Sequence, residues 1–259
     1  MQPNMFMVNQ PPPAPGQAIA WMPRPAPIPG VPPGLEYLTM LDTIRVEQIP
    51  SFLEAFTGFD TNNKYVLRNA GNQQFLYAYE DTDVCMRICC GNQRGFTFHI
   101  IDNLRQEVLT ITREFKCCAG CCWFAGCCSC CAYEITVQAG GTIIGYIRQK
   151  GSFWKAAYDI LDETGNTILK IEGPFCILDG PLCPFENDFK VLTADGQSQI
   201  GKITKEYAGF VREMITVADN FSITFPIDLS VKAKATLIGA LFLIDFMFFE
   251  DKQKNNNNK

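Results

Sequence analysis

Ala235-Thr236-Leu237-Ile238-Gly239-Ala240-Leu241-Phe242-Leu243-Ile244-Asp245-Phe246-Met247-Phe248-Phe249 is an apolar run interrupted by a single carboxylate. Lys232 and Lys234 precede it, and Glu250-Asp251-Lys252 follow. Its length and its Leu, Met and Ala content predict a helix over residues 233–249 rather than a strand. What surrounds that helix decides the fold. At about 1.5 Å per residue the run reaches roughly 22 Å, against a hydrocarbon core near 30 Å. Its nine Leu, Ile and Phe residues favour insertion by roughly 3 to 5 kcal/mol, and a central Asp245 opposes it by about 3. The sum is close to zero. If the helix spans, Leu237, Leu241, Phe242, Asp245 and Phe248 are its candidate membrane residues, with Lys232 and Lys234 holding the preceding side in the cytosol. The competing reading is a helix apolar all round because protein encloses it.

Working back towards the N-terminus, short β-type segments alternate with turn signals. They cover Lys64–Asn69, Gln73–Glu80, Phe96–Asp102, Gln106–Arg113, Tyr133–Ala139, Thr142–Gln149, Trp154–Asp162, Thr167–Gly173, Glu186–Thr193, Gln197–Lys205, Phe210–Thr216 and Phe221–Ile227. Asn69-Ala70-Gly71-Asn72, Ala139-Gly140-Gly141, Thr164-Gly165-Asn166 and Asp195-Gly196 supply residues that tolerate positive φ in tight hairpins. Twelve short strands at such spacing predict an antiparallel barrel or sandwich. A barrel of twelve strands is wide enough to need a filling, which a helix could supply. Leu35 to Phe59 reads as a short helix with extended flanks around Pro50.

The ends differ from this body. Eleven of the sixteen prolines lie between Pro3 and Pro33. Residues 1–34 therefore read as a disordered proline-rich segment sampling polyproline II, and 251–259 as a disordered polar tail. Pro12–Pro15 and Pro29–Pro32 carry the PxxP spacing recognised by SH3- and WW-type adaptor domains, or are incidental to a proline-rich tail. The domain between them runs over 35–250. A net charge of −5 and a pI near 5.0 argue against a nucleic-acid partner. No basic n-region followed by an apolar h-region opens the chain, which predicts a reducing compartment where structural disulfides are rare.

Eight of the thirteen cysteines fall between Cys117 and Cys131 as four adjacent pairs: Cys117-Cys118, Cys121-Cys122, Cys127-Cys128 and Cys130-Cys131. An odd total excludes complete pairing within one chain. Trp123 and Phe124 between the pairs suit a lipid interface, and Arg113 and Lys116 nearby suit anionic headgroups. Two acyl chains on thiols would give stable anchoring. The metal alternative uses the C-x-x-C spacings Cys118–Cys121 and Cys127–Cys130, though the gap between these pairs is short for zinc. Cys85, Cys89 and Cys90 form a second small group, which reads either as further ligands of such a metal site or as simple packing. His99 is the sole histidine, and it reads as structural. With no nucleophile–base arrangement and no phosphate-binding glycine loop, an ordinary hydrolytic or redox enzyme is not expected.

The run Asp219-Asn220-Phe221-Ser222-Ile223-Thr224-Phe225-Pro226-Ile227-Asp228, continuing through Gly239 to Glu250, closely resembles the phospholipid scramblase family. So do Glu80-Asp81-Thr82-Asp83-Val84-Cys85, Cys89-Cys90-Gly91, Ile100-Ile101-Asp102-Asn103 and the cysteine cluster. The resemblance implies a mainly β, tubby-like fold, a closed antiparallel barrel of about twelve strands around the C-terminal helix. It implies calcium-triggered, ATP-independent, bidirectional movement of phospholipids between leaflets at the cytosolic face of the plasma membrane. It implies covalent palmitate on Cys127, Cys128, Cys130 and Cys131, and less directly on Cys117, Cys118, Cys121 and Cys122. A lone helix offers headgroups no easy polar path, so transport would call for a homo-oligomer or a strongly perturbed bilayer, with Asp245 as a path-lining candidate. The rival activity is a palmitoylated adaptor that binds lipids and SH3-type partners without transport.

The same resemblance assigns an EF-hand-like calcium site to 217–228, with Asp219 and Asp228 as its carboxylates. Position 1 is Val217 and positions 5 and 9 are Phe221 and Phe225, which leaves a poor donor set for a loop that wants oxygens at 1, 3, 5, 7, 9 and 12. The residues alone read as a strand with Phe221, Ile223 and Phe225 on one face. Some relatives carry a nuclear-import stretch matching Gly201-Lys202-Ile203-Thr204-Lys205, which here holds two lysines before Glu206 and implies at most a small nuclear pool.

Overall fold

The computed structural model describes residues 20–49, 62–116, 131–152, 155–174, 187–206 and 220–250. Within them the chain forms β1 (Thr43–Gln48), β2 (Lys64–Asn69), β3 (Gln74–Asp81), β4 (Phe96–Ile101), β5 (Glu107–Arg113) and β6 (Glu134–Ala139). The second half adds β7 (Thr142–Gln149), β8 (Ala157–Leu161), β9 (Thr167–Glu172), β10 (Asn187–Thr193), β11 (Gln199–Glu206) and β12 (Asn220–Thr224). Two α-helices complete it, α1 (Val84–Cys90) and α2 (Val231–Phe248). Each strand pairs antiparallel with its sequence neighbour, and β1 pairs with β12, so the sheet closes into a twelve-stranded barrel with no free edge. This is the barrel-and-helix architecture that the sequence predicts.

Closure comes from a strand read only as an extended flank. Thr43–Gln48 follows a 3₁₀ turn at Glu36–Met40 and bonds β2 on one side and β12 on the other. The strand expected at Phe210–Thr216 lies outside the described residues. Residues 20–34, expected to be disordered, lie against the barrel instead. Met22 donates its amide to Gln74 O, Gln74 donates to Ala20 O, and Arg24 pairs with Asp102 at 3.2 Å.

Helix α2 runs through the interior. Ser230 caps its start by accepting the Ala233 amide at 3.2 Å, and every residue from Ala233 to Phe246 is buried. Inward-facing residues alternate along the strands, as in Ile135 and Val137 of β6, which is the period-2 pattern of a half-buried strand. The helix presses closest on β6 and β7. A Cβ on Gly145 would lie 2.5 Å from Thr236 Oγ1 and 2.8 Å from Leu161 O, and one on Gly239 would lie 3.0 Å from Val137 Cγ2. On the opposite wall larger side chains bridge the gap: Phe242 stacks on Phe98 at 4.3 Å, and Phe246 meets Phe96 at 4.4 Å.

The spanning reading of this helix is thereby corrected. Leu237, Leu241, Phe242 and Asp245 are buried inside the barrel, and Phe248 is half-buried near its exit. Among the described residues no helix is long and apolar enough to cross a membrane. The reason is polar as much as apolar. Tyr65 donates its hydroxyl to Asp245 Oδ2 at 2.5 Å, and the Lys234 ammonium donates to Leu38 O, Leu41 O and Ile227 O at 2.7 to 2.9 Å. In hydrocarbon these groups would lose such partners at a cost of several kcal/mol. Lys232, the other expected flanking charge, pairs with Glu163 at 2.6 Å.

The two rims of the barrel differ sharply. At one, the turn rim, strands are joined by two to five residues. Asn72, Arg105, Gly140, Gly141, Gly165 and Gly196 adopt positive φ there, and Asp102 Oδ1 and Asp162 Oδ1 accept amides within their own turns. At the other, the loop rim, the connections hold seven to twenty residues, and the C-terminus of α2 emerges among them.

Candidate functional site

Every one of the thirteen cysteines belongs to a connection that begins and ends at the loop rim. Cys85, Cys89 and Cys90 lie between β3 and β4, the 117–131 cluster between β5 and β6, and Cys176 and Cys183 between β9 and β10. The turn rim carries none.

The described part of this rim is built on a buried charge cluster. Inward alternation along β3 runs Leu76, Ala78, Glu80, and along β5 Leu109, Ile111, Arg113. Both charged residues therefore enter the barrel mouth. Arg94, fully buried, lies between Glu80 and Glu250. Its Nε and Nη2 donate to Glu80 at 2.9 and 3.1 Å, and its Nη1 and Nη2 to Glu250 at 2.8 and 2.5 Å. These carboxylates hold its guanidinium pKa above the ordinary range despite the opposing effect of burial. Arg113 sits beneath, donating from Nε and Nη2 to Arg94 O and packing over Phe96 and Tyr133. Burial lowers its pKa to about 10. Two cations and two carboxylates thus close the mouth and fix the last turn of α2, with Arg94 4.4 Å above the Phe246 ring.

Sequence reasoning missed this cluster, although the signal was present. Glu80 and Arg113 each continue an inward period-2 series, which is where a strand residue should be apolar. Arg113, expected to favour anionic headgroups, is 1% exposed and does not reach the surface. Lys116 is half-buried and donates to Ala132 O at 2.8 Å.

The remaining predicted site residues divide as follows. Cys117, Cys118, Cys121, Cys122, Cys127, Cys128 and Cys130 lie outside the described residues, and Cys131 is half-buried at the start of the approach to β6. Pro12 and Pro15 also lie outside. Pro29 and Pro32 are folded into successive turns, with Val31 donating to Ile28 O and Leu35 to Pro32 O. Gly30 between them has φ +82°, so this PxxP is not the extended polyproline helix that adaptor grooves recognise. His99 bonds Glu107 at 2.5 Å and stacks on Tyr79 on the outer wall. Lys205 is buried over Phe249, and Lys202 pairs with Asp188, so the expected import stretch is part of β11.

The calcium stretch fits poorly. Val217 and Asp219 lie outside the described residues. Phe221, Ile223 and Phe225, however, are buried in the core, and Asn220–Thr224 spends its backbone groups in the ladders with β1 and β11. Asp228 is exposed in the turn leading to α2, at the turn rim. Two of the six ligand positions are therefore core phenylalanines. Among the described residues no three His, Cys, Asp or Glu side chains converge as a metal site.

These features define a class: a closed barrel whose lumen is filled by its own helix, with every cysteine in a connection between strand ends of one rim. The Scramblase family model matches residues 22–251. Phospholipid scramblase 1 of Homo sapiens is 47% identical over 233 residues, covering 90% of this chain and 70% of the relative. Phospholipid scramblase 1 of Mus musculus is 45% identical, covering 96% and 74%, and phospholipid scramblase 2 of Bos taurus is 44% identical, covering 92% and 78%. No solved structure matches. The chain belongs to the phospholipid scramblase family, which implies an association with phospholipid membranes.

Proposed function

We propose that this protein moves phospholipids between leaflets in both directions, without ATP and on a calcium signal, while palmitate on Cys127, Cys128, Cys130 and Cys131 holds it to the cytosolic face of the plasma membrane. The observation that carries this reading is that all thirteen cysteines belong to connections that begin and end at one rim, in a member of a family named for acting on phospholipids. Several acyl chains on one rim would hold the barrel end-on, with the loop rim against the headgroups. Trp123, Phe124 and Trp154 belong to connections of the same rim.

The lumen offers lipids no route, because α2 and its aromatic contacts fill it. Asp245 faces Tyr65 inside and lines no path in this arrangement. Transport on this reading runs along the outer surface of the barrel or between copies of it, by thinning the bilayer beneath the rim. The calcium trigger acts away from Phe221 and Phe225, since neither can become a ligand without leaving the core. No step of this activity requires covalent chemistry on the lipid.

The test is reconstitution of acylated protein into liposomes carrying a leaflet-specific fluorescent lipid. Calcium-dependent loss of asymmetry, at equal rates in each direction and without ATP, is the expected result. Tight vesicle binding with unchanged asymmetry would instead establish the second reading, an acylated lipid-binding adaptor. The filled lumen favours that second reading, and Pro12–Pro15 would be its SH3-type contact.

A further inference from the structure

We propose that Cys85 and Cys89 of α1 form a second S-acylation site, on a different connection from the 117–131 cluster. The inference rests on the reading of the loop rim as the face turned to the bilayer. Helix α1 lies in the β3–β4 connection, and the cluster lies in the β5–β6 connection. Only β4 separates them, since β4 pairs with both β3 and β5 and sets Phe96 opposite Arg113 at this rim.

The helix itself orients the thiols. Asp83 Oδ1 accepts the amides of Cys85 and Met86 at 2.8 and 3.4 Å and so fixes where the helix begins. Cys85 and Cys89 are four residues apart and share a face, and both are exposed free thiols. Val84 beside them is 50% exposed, and Phe115, where the neighbouring connection leaves β5, is 45% exposed. Arg87 lies two residues on from Cys85, about 200° round the helix, and is buried. The helix thus docks by its Arg87 face and turns its thiol face outward. Cys90, off that face, is half-buried.

Other uses of these thiols fit less well. No metal-competent group of three ligands includes them among the described residues, and neither is in a disulfide. The turn rim also exposes large apolar side chains, Leu104 and Ile227, but has no thiol in any connection. Chemically the step is a redox-neutral transfer from a long-chain acyl-coenzyme A. The cysteine sulfur attacks the thioester carbonyl, the bond to the coenzyme sulfur breaks, and the proton lost by the cysteine ends on the released coenzyme thiol. A single chain binds membranes reversibly, whereas chains on two connections would fix the tilt of the barrel as well as its residence.

Differential alkylation of full-length protein from animal cells tests this directly. Free thiols are blocked, thioesters are cleaved with hydroxylamine, and newly released thiols are labelled and assigned by peptide. Label on the Cys85–Cys89 peptide as well as on the cluster peptide is the expected outcome. The Cys85→Ser/Cys89→Ser variant, with unchanged thermal unfolding, should then float with anionic vesicles at a two- to fivefold lower bound fraction. Label on the cluster alone overturns this inference and leaves the proposed anchoring intact. Label on neither overturns both.

Discussion

The two ends of the barrel solve the same problem, sealing a filled lumen, by opposite means. At the turn rim the strand connections are local. Asx turns and positive-φ glycines join strands within a few residues, and the buried Lys234 is satisfied by three main-chain carbonyls. At the loop rim the closure is long-range. Arg94 holds Glu80 and Glu250, residues 14 and 156 positions away, and the connections around it are free to be long. A rim closed by side-chain charge pairs does not depend on turn geometry. The connections of this rim hold all thirteen cysteines of the sequence.

The comparison can be broken most forcefully at the charged end. Arg94→Met leaves two buried carboxylates facing each other without the cation that bonds them both, and should cost about 3 to 5 kcal/mol in denaturant unfolding. A cost under about 1 kcal/mol would mean that the cluster does not close the mouth. At the turn rim, Lys234→Met keeps the methylene stem but strands three carbonyls, with an expected loss of about 2 to 4 kcal/mol. Because burial already lowers the Lys234 pKa, part of what its hydrogen bonds contribute is offset, and the loss should be smaller than at Arg94. If Lys234→Met proved the more damaging, the ranking of the two ends would reverse.

Tyr77, on the outer wall between the rims, supplies the baseline. Its hydroxyl is buried without a hydrogen-bond partner among the described residues, so Tyr77→Phe should change stability by less than about 1 kcal/mol at neutral pH. Burial pushes its pKa up to about 12, with the neighbouring Tyr79 a lesser cause. The folded state keeps this proton while the unfolded chain releases it from about pH 10. The resulting stability is complete below pH 10 and is lost as pH rises towards 12. Tyr77→Phe should flatten that decline in a pH series of melting temperatures. Arg113, lowered to about 10, acts in the opposite sense, so the difference between variant and parent is the quantity to read.

Much of this architecture is legible in residue order. Eleven of the twelve strand segments expected from turn spacing fall where strands form or lie outside the described residues only at their edges; the exception, Phe210–Thr216, is wholly outside, and β1 supplies the twelfth strand instead. Helix α1 was not anticipated, because seven residues with three cysteines have no amphipathic period to read. The cysteine cluster was plain from composition. That Cys85, Cys89, Cys176 and Cys183 belong to connections of the same rim followed only once the strand order was known.

Taken alone, the order of residues determined the β-rich body, its hairpin turns, the C-terminal helix and the concentration of thiols, because each is written in spacing over fewer than twenty positions. Tertiary structure alone decided that the helix fills the barrel. A protein core and a lipid core are equally apolar, so hydrophobicity cannot tell them apart. The choice belongs to Lys234 and Asp245, whose partners Leu38, Leu41 and Tyr65 lie 180 to 196 residues away in the chain.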